Sequence, residues 1–75
     1  MIIKILGEGC PKCDEMYANV QKVVEELGLD AQIEKVEDFR EIVMFGVMTT
    51  PALVVDNIVK SSGRVLSTNE IKKHL

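Results

Sequence analysis

The spacing of apolar residues changes along the chain, and each spacing predicts a secondary-structure element. Residues 1–6 are nearly all apolar and mostly β-branched, which is typical of a buried central strand. Between residues 13 and 27 the apolar positions recur at helical spacing, which predicts a helix from Pro11 to the residue before Gly28. Residues 31–36 predict a second strand. It is less apolar than the first and is therefore expected at an edge of the sheet.

The second half of the chain predicts a helix, a hairpin and a final helix. Asp38 caps a short helix, and Ser67 caps the last one in a capping-box pattern. Residues 52–55 and 58–61 predict two strands joined by the turn Asp56-Asn57. The order strand, helix, strand, helix, strand, strand, helix predicts an α/β fold. We expect a four-stranded mixed sheet with helices on both faces and a right-handed connection between two parallel first strands.

Several apolar side chains outside the strands are also interpreted as core residues. The predicted apolar side of the short helix consists of Phe39, Ile42, Val43 and Phe45. Met16, Met44 and Met48 are interpreted as core fillers. Met48 is in addition a candidate for lining a site, because it shortly precedes a Thr-Pro pair. Tyr17 is expected to pack at the edge of the core, and Glu8 is interpreted as a loop charge.

Length and charge exclude several classes of protein. A chain of 75 residues without repeat or linker predicts a single domain over residues 1–75. Nine basic and twelve acidic residues give a formal net charge of −3, which argues against nucleic acid or anionic lipid as the main partner. No apolar run approaches the about 20 residues of a membrane span, and the amino end lacks the features of a signal peptide. We therefore expect a cytoplasmic protein without a membrane partner, and a monomer.

Both cysteines lie in one motif, Cys10-Pro11-Lys12-Cys13. A structural disulfide closing so short a loop would remove little freedom from the unfolded chain, and a reducing compartment also opposes it. Structural zinc needs more Cys or His ligands than His74 could add, so the open metal alternative is a two-thiolate carrier of a soft metal such as Cu(I). A reversible dithiol–disulfide couple is the usual interpretation of this motif beside a strand–helix–strand pattern.

The two cysteines are predicted to play unequal roles. Cys10 precedes Pro11 at the cap of the first helix, where backbone N–H groups and the positive helix end favour the thiolate, and Lys12 adds a nearby cation. We expect the pKa of Cys10 to lie below the ordinary value of about 8.5. Cys13 lies one turn further along the apolar stripe and is expected to be partly buried and protonated. Cys10 would therefore attack a substrate disulfide, and Cys13 would then resolve the mixed disulfide.

Three segments together resemble a known family: Gly9-Cys10-Pro11-Lys12-Cys13, Thr50-Pro51 and Ser62-Gly63-Arg64. Over its whole length the chain is similar to the thioredoxin/glutaredoxin superfamily, and especially to its small redox-active disulfide proteins. The resemblance implies a thioredoxin-like fold and a thiol–disulfide oxidoreductase, with the Cys10–Cys13 couple as its redox group and neither another cofactor nor a metal. It also implies a cis Thr50–Pro51 bond facing the cysteines, where an extended substrate strand could pair with Thr50.

Some positions depart from the family pattern. Gly9 stands where thioredoxins usually carry Trp, and Lys4 stands where they carry a buried acid. No Asp follows Ser62-Gly63, where glutaredoxins hold glutathione. We therefore expect a disulfide-containing protein as substrate, with Gly63 allowing close approach of its backbone. The expected electron donor is an upstream reductase, linked to flavin or ferredoxin, or glutathione itself.

Overall fold

The chain folds into four strands and three helices in the predicted order. The computed structural model describes residues 1–8 and 11–75. The elements are β1 (Ile2–Leu6), α1 (Pro11–Leu27), β2 (Gln32–Val36), α2 (Phe39–Met44), β3 (Ala52–Val55), β4 (Ile58–Ser62) and α3 (Thr68–His74). The prediction of an α/β fold with a four-stranded mixed sheet and three helices is confirmed. No helix in the described part of the chain is both long and apolar enough to cross a bilayer.

The strands lie in the order β2-β1-β3-β4, so β1 is central and β2 is at an edge, as predicted. β1 runs parallel to β2 and antiparallel to β3, and β3 runs antiparallel to β4 with an irregularity between Leu53 and Val54. The hairpin turn places Asp56 at φ 49° and Asn57 at φ 68°. Both values are left-handed, as in the tight turns that suit the twist of a hairpin.

The sheet packs against helices on both faces, and each face has its own core. α1 and α3 cover the face that carries Ile3, Ile5, Leu53 and Val55. α2 covers the opposite face, where Ile42 packs in one cluster with side chains of β1, β2 and β3. Because α1 lies on the larger core, its amino-terminal turn is held at the end of the sheet where β1 finishes.

The short helix α2 buries less than its sequence predicts. Only Ile42 is buried within it, while Phe39 is 65% exposed and Met44 is 85% exposed. Met48, in the connection from α2 to β3, is 92% exposed. The prediction that Met44 and Met48 fill the core is therefore wrong. A helix of six residues turns only a narrow face towards the sheet, which leaves Met44 outside, and Met48 lies after the helix in an exposed connection. Met16 is fully buried, as predicted.

Side-chain caps fix the beginnings of α2 and α3. The carboxylate of Asp38 accepts a hydrogen bond from the backbone N–H of Arg40 at 2.9 Å. At α3, Ser67 and Glu70 form the predicted reciprocal capping box. Each cap satisfies backbone donors that the first turn of a helix leaves without an intrahelical partner.

Candidate functional site

The first turn of α1 carries the motif residues that the structure describes. α1 begins at Pro11, as predicted, and both Pro11 and Lys12 are exposed. Cys13 is only 4% exposed and lies on the buried side of the helix. Cys10 and Gly9 lie outside the described residues, so the capping position and the ionisation predicted for Cys10 stay predictions.

Gly7 forms the surface against which Cys13 packs. It follows the last residue of β1, and its N–H donates a hydrogen bond to the carbonyl oxygen of Val36 at 2.9 Å. A Cβ at this position would overlap the Sγ of Cys13 and would lie 3.1 Å from its Cβ. Sequence reasoning missed this contact. The available signal was a glycine directly after a buried strand, where another part of the chain often approaches closely.

Thr50 also lies close to Gly7, and Pro51 follows it in the chain. The Thr50–Pro51 peptide bond is cis, as the resemblance implied. Pro51 is fully buried, whereas Thr50 is exposed. The Cβ of Thr50 lies 3.8 Å from the position that a Cβ on Gly7 would take. The structure therefore brings Thr50 and Cys13 to the same glycine.

Gly63 borders the segment that leads into Pro51. Its N–H donates a hydrogen bond to the carbonyl oxygen of Pro51 at 3.0 Å, and its φ is +85°. A Cβ on Gly63 would lie 2.7 Å from the Oγ1 of Thr49. Ser62 is the last residue of β4, so the strand ends one residue later than predicted. Gly63 thus belongs to the same end of the sheet as Thr50 and Pro51.

An ion pair next to Cys13 joins α1 to β2. The Nζ of Lys35 is 3.0 Å from the Oδ1 of Asp14, the residue that follows Cys13, and it lies 4.8 Å from the centroid of the Tyr17 ring. The hydrogen bond that the Lys35 ammonium donates to the carboxylate of Asp14 is the main cause that raises the pKa of Lys35 above its ordinary value. Tyr17 packs at the edge of the larger core, as predicted. The lysine therefore offsets a negative charge close to Cys13 in the chain.

The remaining candidate residues lie elsewhere. Lys4 is half-buried on β1, with its Nζ 5.4 Å from the centroid of the Phe45 ring. His74 is the last residue of α3. Within residues 1–8 and 11–75, no group of three or more His, Cys, Asp or Glu side chains is placed to hold a metal ion.

Comparison with known proteins gives the family. The family model described as a thioredoxin domain matches residues 1–75. The chain belongs to the thioredoxin family. It is 47% identical over 75 residues to a thioredoxin of Methanocaldococcus jannaschii, covering 100% of this chain and 86% of that protein. It is 43% identical over 75 residues to a thioredoxin of Methanothermobacter thermautotrophicus, covering 100% of this chain and 97% of that one.

A solved structure agrees on the fold of this thioredoxin-family chain. It is described as the structure of a malarial protein and superposes with a TM-score of 0.68, covering 99% of this chain and 96% of that one. At 21% identity, this likeness concerns the fold alone. The matches to the family model and to the two thioredoxins support thiol–disulfide oxidoreductase activity in general terms.

Proposed function

We propose that the protein reduces disulfides in other proteins through a dithiol–disulfide couple of Cys10 and Cys13, without a further cofactor. One observation carries the proposal. Cys13 is buried in the first turn of α1, beside Gly7 and Thr50, in a chain of the thioredoxin family. The burial of this sulfur at a helix start, beside Gly7 and Thr50, supports reaction with a neighbouring sulfur rather than with a reagent in bulk solvent.

The first step uses Cys10. Its thiolate attacks one sulfur of the substrate disulfide and forms a mixed disulfide, while the other substrate sulfur leaves as a thiolate and takes up a proton. Cys10 directly precedes Pro11, where α1 begins, and the positive end of a helix favours a thiolate nearby. Lys12 is exposed in the same turn and adds a positive charge.

The second step uses Cys13. After losing its proton, it attacks the sulfur of Cys10, releases the second substrate thiolate and leaves a Cys10–Cys13 disulfide. Two electrons have then passed from the protein to the substrate. Burial of Cys13 at 4% exposure favours the neutral thiol and keeps it from reacting before the mixed disulfide has formed.

The segment around Pro51 would hold the substrate. Thr50 is exposed next to the cysteine site and is proposed to pair with an extended strand of the substrate. Pro51 fixes the segment from within, since it is fully buried. Gly63, without a side chain, would let the substrate backbone approach.

The catalytic cycle needs an electron donor. We propose an upstream reductase, flavin- or ferredoxin-linked, or glutathione, which returns the Cys10–Cys13 disulfide to the dithiol. We propose a monomer in the cytoplasm, with no nucleic acid or membrane as partner. The soft-metal carrier is the competing function, and the test below separates the two.

The test compares single cysteine variants in the full chain. With a peptide disulfide as substrate, Cys13→Ser is expected to accumulate a covalent adduct carrying half of the peptide, because Cys10 reacts and nothing resolves the product. Cys10→Ser is expected to form no adduct and to lose activity, because its remaining thiol is buried. Mass spectrometry of acid-quenched samples measures the adduct, and reduction of a model protein disulfide measures activity.

Two results would contradict the proposal. Full activity of Cys10→Ser would show that Cys10 is not the attacking residue. Tight binding of one Cu(I) ion per chain through both thiols, without any reduction of disulfides by the wild type, would show a metal carrier instead. The Cys10→Ser/Cys13→Ser double variant is the control for adducts and metal that do not involve either sulfur.

A further inference from the structure

A groove with a volume of about 230 Å³ opens beside the cysteine site. Its lining residues come from the end of β1, from α2 and from the α2–β3 connection: Glu8, Phe39, Ile42, Val47, Met48 and Thr50. Thr50 is shared with the site, since it lies next to Gly7 and so to Cys13. Glu8 follows Gly7 directly and is two residues before Cys10 in the chain. The groove therefore opens next to the residues that surround Cys13.

Four of the described residues that line the groove are apolar, two of them buried and two exposed. Ile42 and Val47 are buried at 3% and 5% exposure and belong to the core on the α2 face. Phe39 and Met48 are 65% and 92% exposed. Exposed large apolar side chains that border a depression are typical of a surface that binds a partner. The flexible thioether of Met48 also adapts to different apolar partners.

Among the described residues that line the groove, Glu8 is the one charged group. Glu8 is exposed, and no Lys or Arg among the described residues lies within ion-pair distance of its carboxylate. Arg40 is the nearest basic residue in the sequence of α2, and its side chain, 92% exposed, lies 3.9 Å from Asp38 instead. The whole chain carries a formal net charge of −3. A cationic ligand would therefore be attracted to this groove and an anionic one repelled.

We propose that the groove selects the substrate: it binds an extended segment of a disulfide-containing protein that carries an apolar side chain and, next to it, a Lys or Arg. The apolar side chain lies over Ile42 between Phe39 and Met48, and the cation lies at Glu8. The inference rests on the proposed function, and it names the class of protein disulfide that the site takes. Small anionic disulfides bind poorly, because the carboxylate of Glu8 repels them.

The test uses two peptide disulfides that are identical except for one residue. Both carry a Leu near the cysteine, followed by Lys in one peptide and by Glu in the other. The ratio of kcat/KM for the Lys peptide to that for the Glu peptide cancels any effect of Glu8 on the reactivity of the thiolate itself. For the wild type at low ionic strength, we expect a ratio of about 5, the size of a single exposed charge interaction.

Variants of Glu8 change this ratio in a fixed order. Glu8→Gln is expected to bring it close to unity, and Glu8→Lys is expected to invert it. At about 1 M salt the wild-type ratio also approaches unity, because screening then acts within about 3 Å. Glu41→Gln is the matched control: Glu41 lines a different depression, with Lys4, Met44 and Phe45, so the ratio stays at the wild-type value.

The apolar half of the proposal has its own variant. Met48→Ser is expected to lower kcat/KM for the Leu peptide several-fold and to leave a peptide with Ser in place of Leu almost unchanged. Because Met48 is exposed, this variant folds as the wild type does. Circular dichroism checks the fold.

The outcomes separate this inference from the function on which it rests. Equal reduction of the Lys and Glu peptides by the wild type, with no change in Glu8→Lys, overturns the selection by the groove and leaves the reductase standing. No reduction of either peptide, or of a model protein disulfide, overturns both. A ratio that follows the charge at residue 8 supports the inference.

Discussion

The Sγ of Cys13 occupies the space that a side chain on Gly7 would fill. Gly7→Ala must therefore displace either the end of β1 or the first turn of α1. We expect a loss of about 1–3 kcal/mol in the free energy of unfolding, the usual cost of overpacking a core. We also expect a longer-lived mixed disulfide, because Cys13 is pushed from its position. Urea unfolding of the reduced protein and quenched-flow mass spectrometry measure the two effects.

The control for Gly7→Ala removes the sulfur. In the Gly7→Ala/Cys13→Ala double variant the added methyl group takes the place of the Sγ, so the destabilisation should be smaller than the sum of the two single losses. A double-mutant cycle measures that difference. Strict additivity would mean that the contact between residue 7 and Cys13 does not determine the cost.

Gly63 combines a left-handed backbone with a close neighbour. Its φ is +85°, and a Cβ would lie 2.7 Å from the Oγ1 of Thr49. Gly63→Ala should therefore cost more than the about 1–2 kcal/mol of a left-handed residue with a side chain. Because it displaces the segment before Pro51, it should also raise KM for a disulfide substrate. Unfolding in urea and steady-state kinetics measure these effects.

Gly28 provides the matched control for Gly63. Its φ is +63°, but nothing lies within 4 Å of the position of its Cβ. Gly28→Ala should lower the free energy of unfolding only by the cost of a side chain on a left-handed residue, and KM should be unchanged. If the two variants lost equal stability, Thr49 would be shown to move away from the added Cβ without lowering the free energy of unfolding.

The capping box of α3 makes stability depend on pH. The side chain of Arg64 and then the backbone N–H of Ser67 donate hydrogen bonds to Glu70 and lower the pKa of its carboxyl group below 4.5. A carboxyl group with a lowered pKa in the folded state stabilises the fold above its unfolded value. That contribution disappears as the pH falls through the folded value. The wild type should therefore lose its advantage over Glu70→Gln as the pH falls below 4.5.

Urea unfolding at neutral and acidic pH measures this loss. Glu25→Gln, on the exposed face of α1, is the control, because Glu25 makes no ion pair among the described residues. Its difference from the wild type should be small at both pH values. A Glu70→Gln difference that stayed constant with pH would contradict the role given to the ionised carboxylate.

Local patterns in the sequence were sufficient for the architecture. The apolar run of residues 1–6 predicted the central strand, because only a strand covered on both sides is so uniformly apolar. Pro11 marked the first residue of α1, and Ser67 marked the cap of α3. Each of these signals depends on residues close together in the chain, which is why it could be read without the structure.

Contacts between distant segments could not be predicted in this way. The exposure of Met48 depends on the path of the α2–β3 connection, and nothing in the neighbouring residues specifies that path. The contact of Gly7 with Cys13 depends on how α1 is set against the end of β1. Sequence periodicity gives the face of a helix, but it does not give the position of the helix along the sheet.

β1 and α1 are covered by segments that come much later in the chain. Ile3 pairs with Val55, and Met16 in α1 packs in one cluster with Leu66 and Ile71. During synthesis on the ribosome, β1 and α1 emerge before the residues that cover them. Such distant pairings form late in folding. The nascent chain therefore exposes Met16 and the apolar side of α1 until the segment from Leu66 to Ile71 has been made.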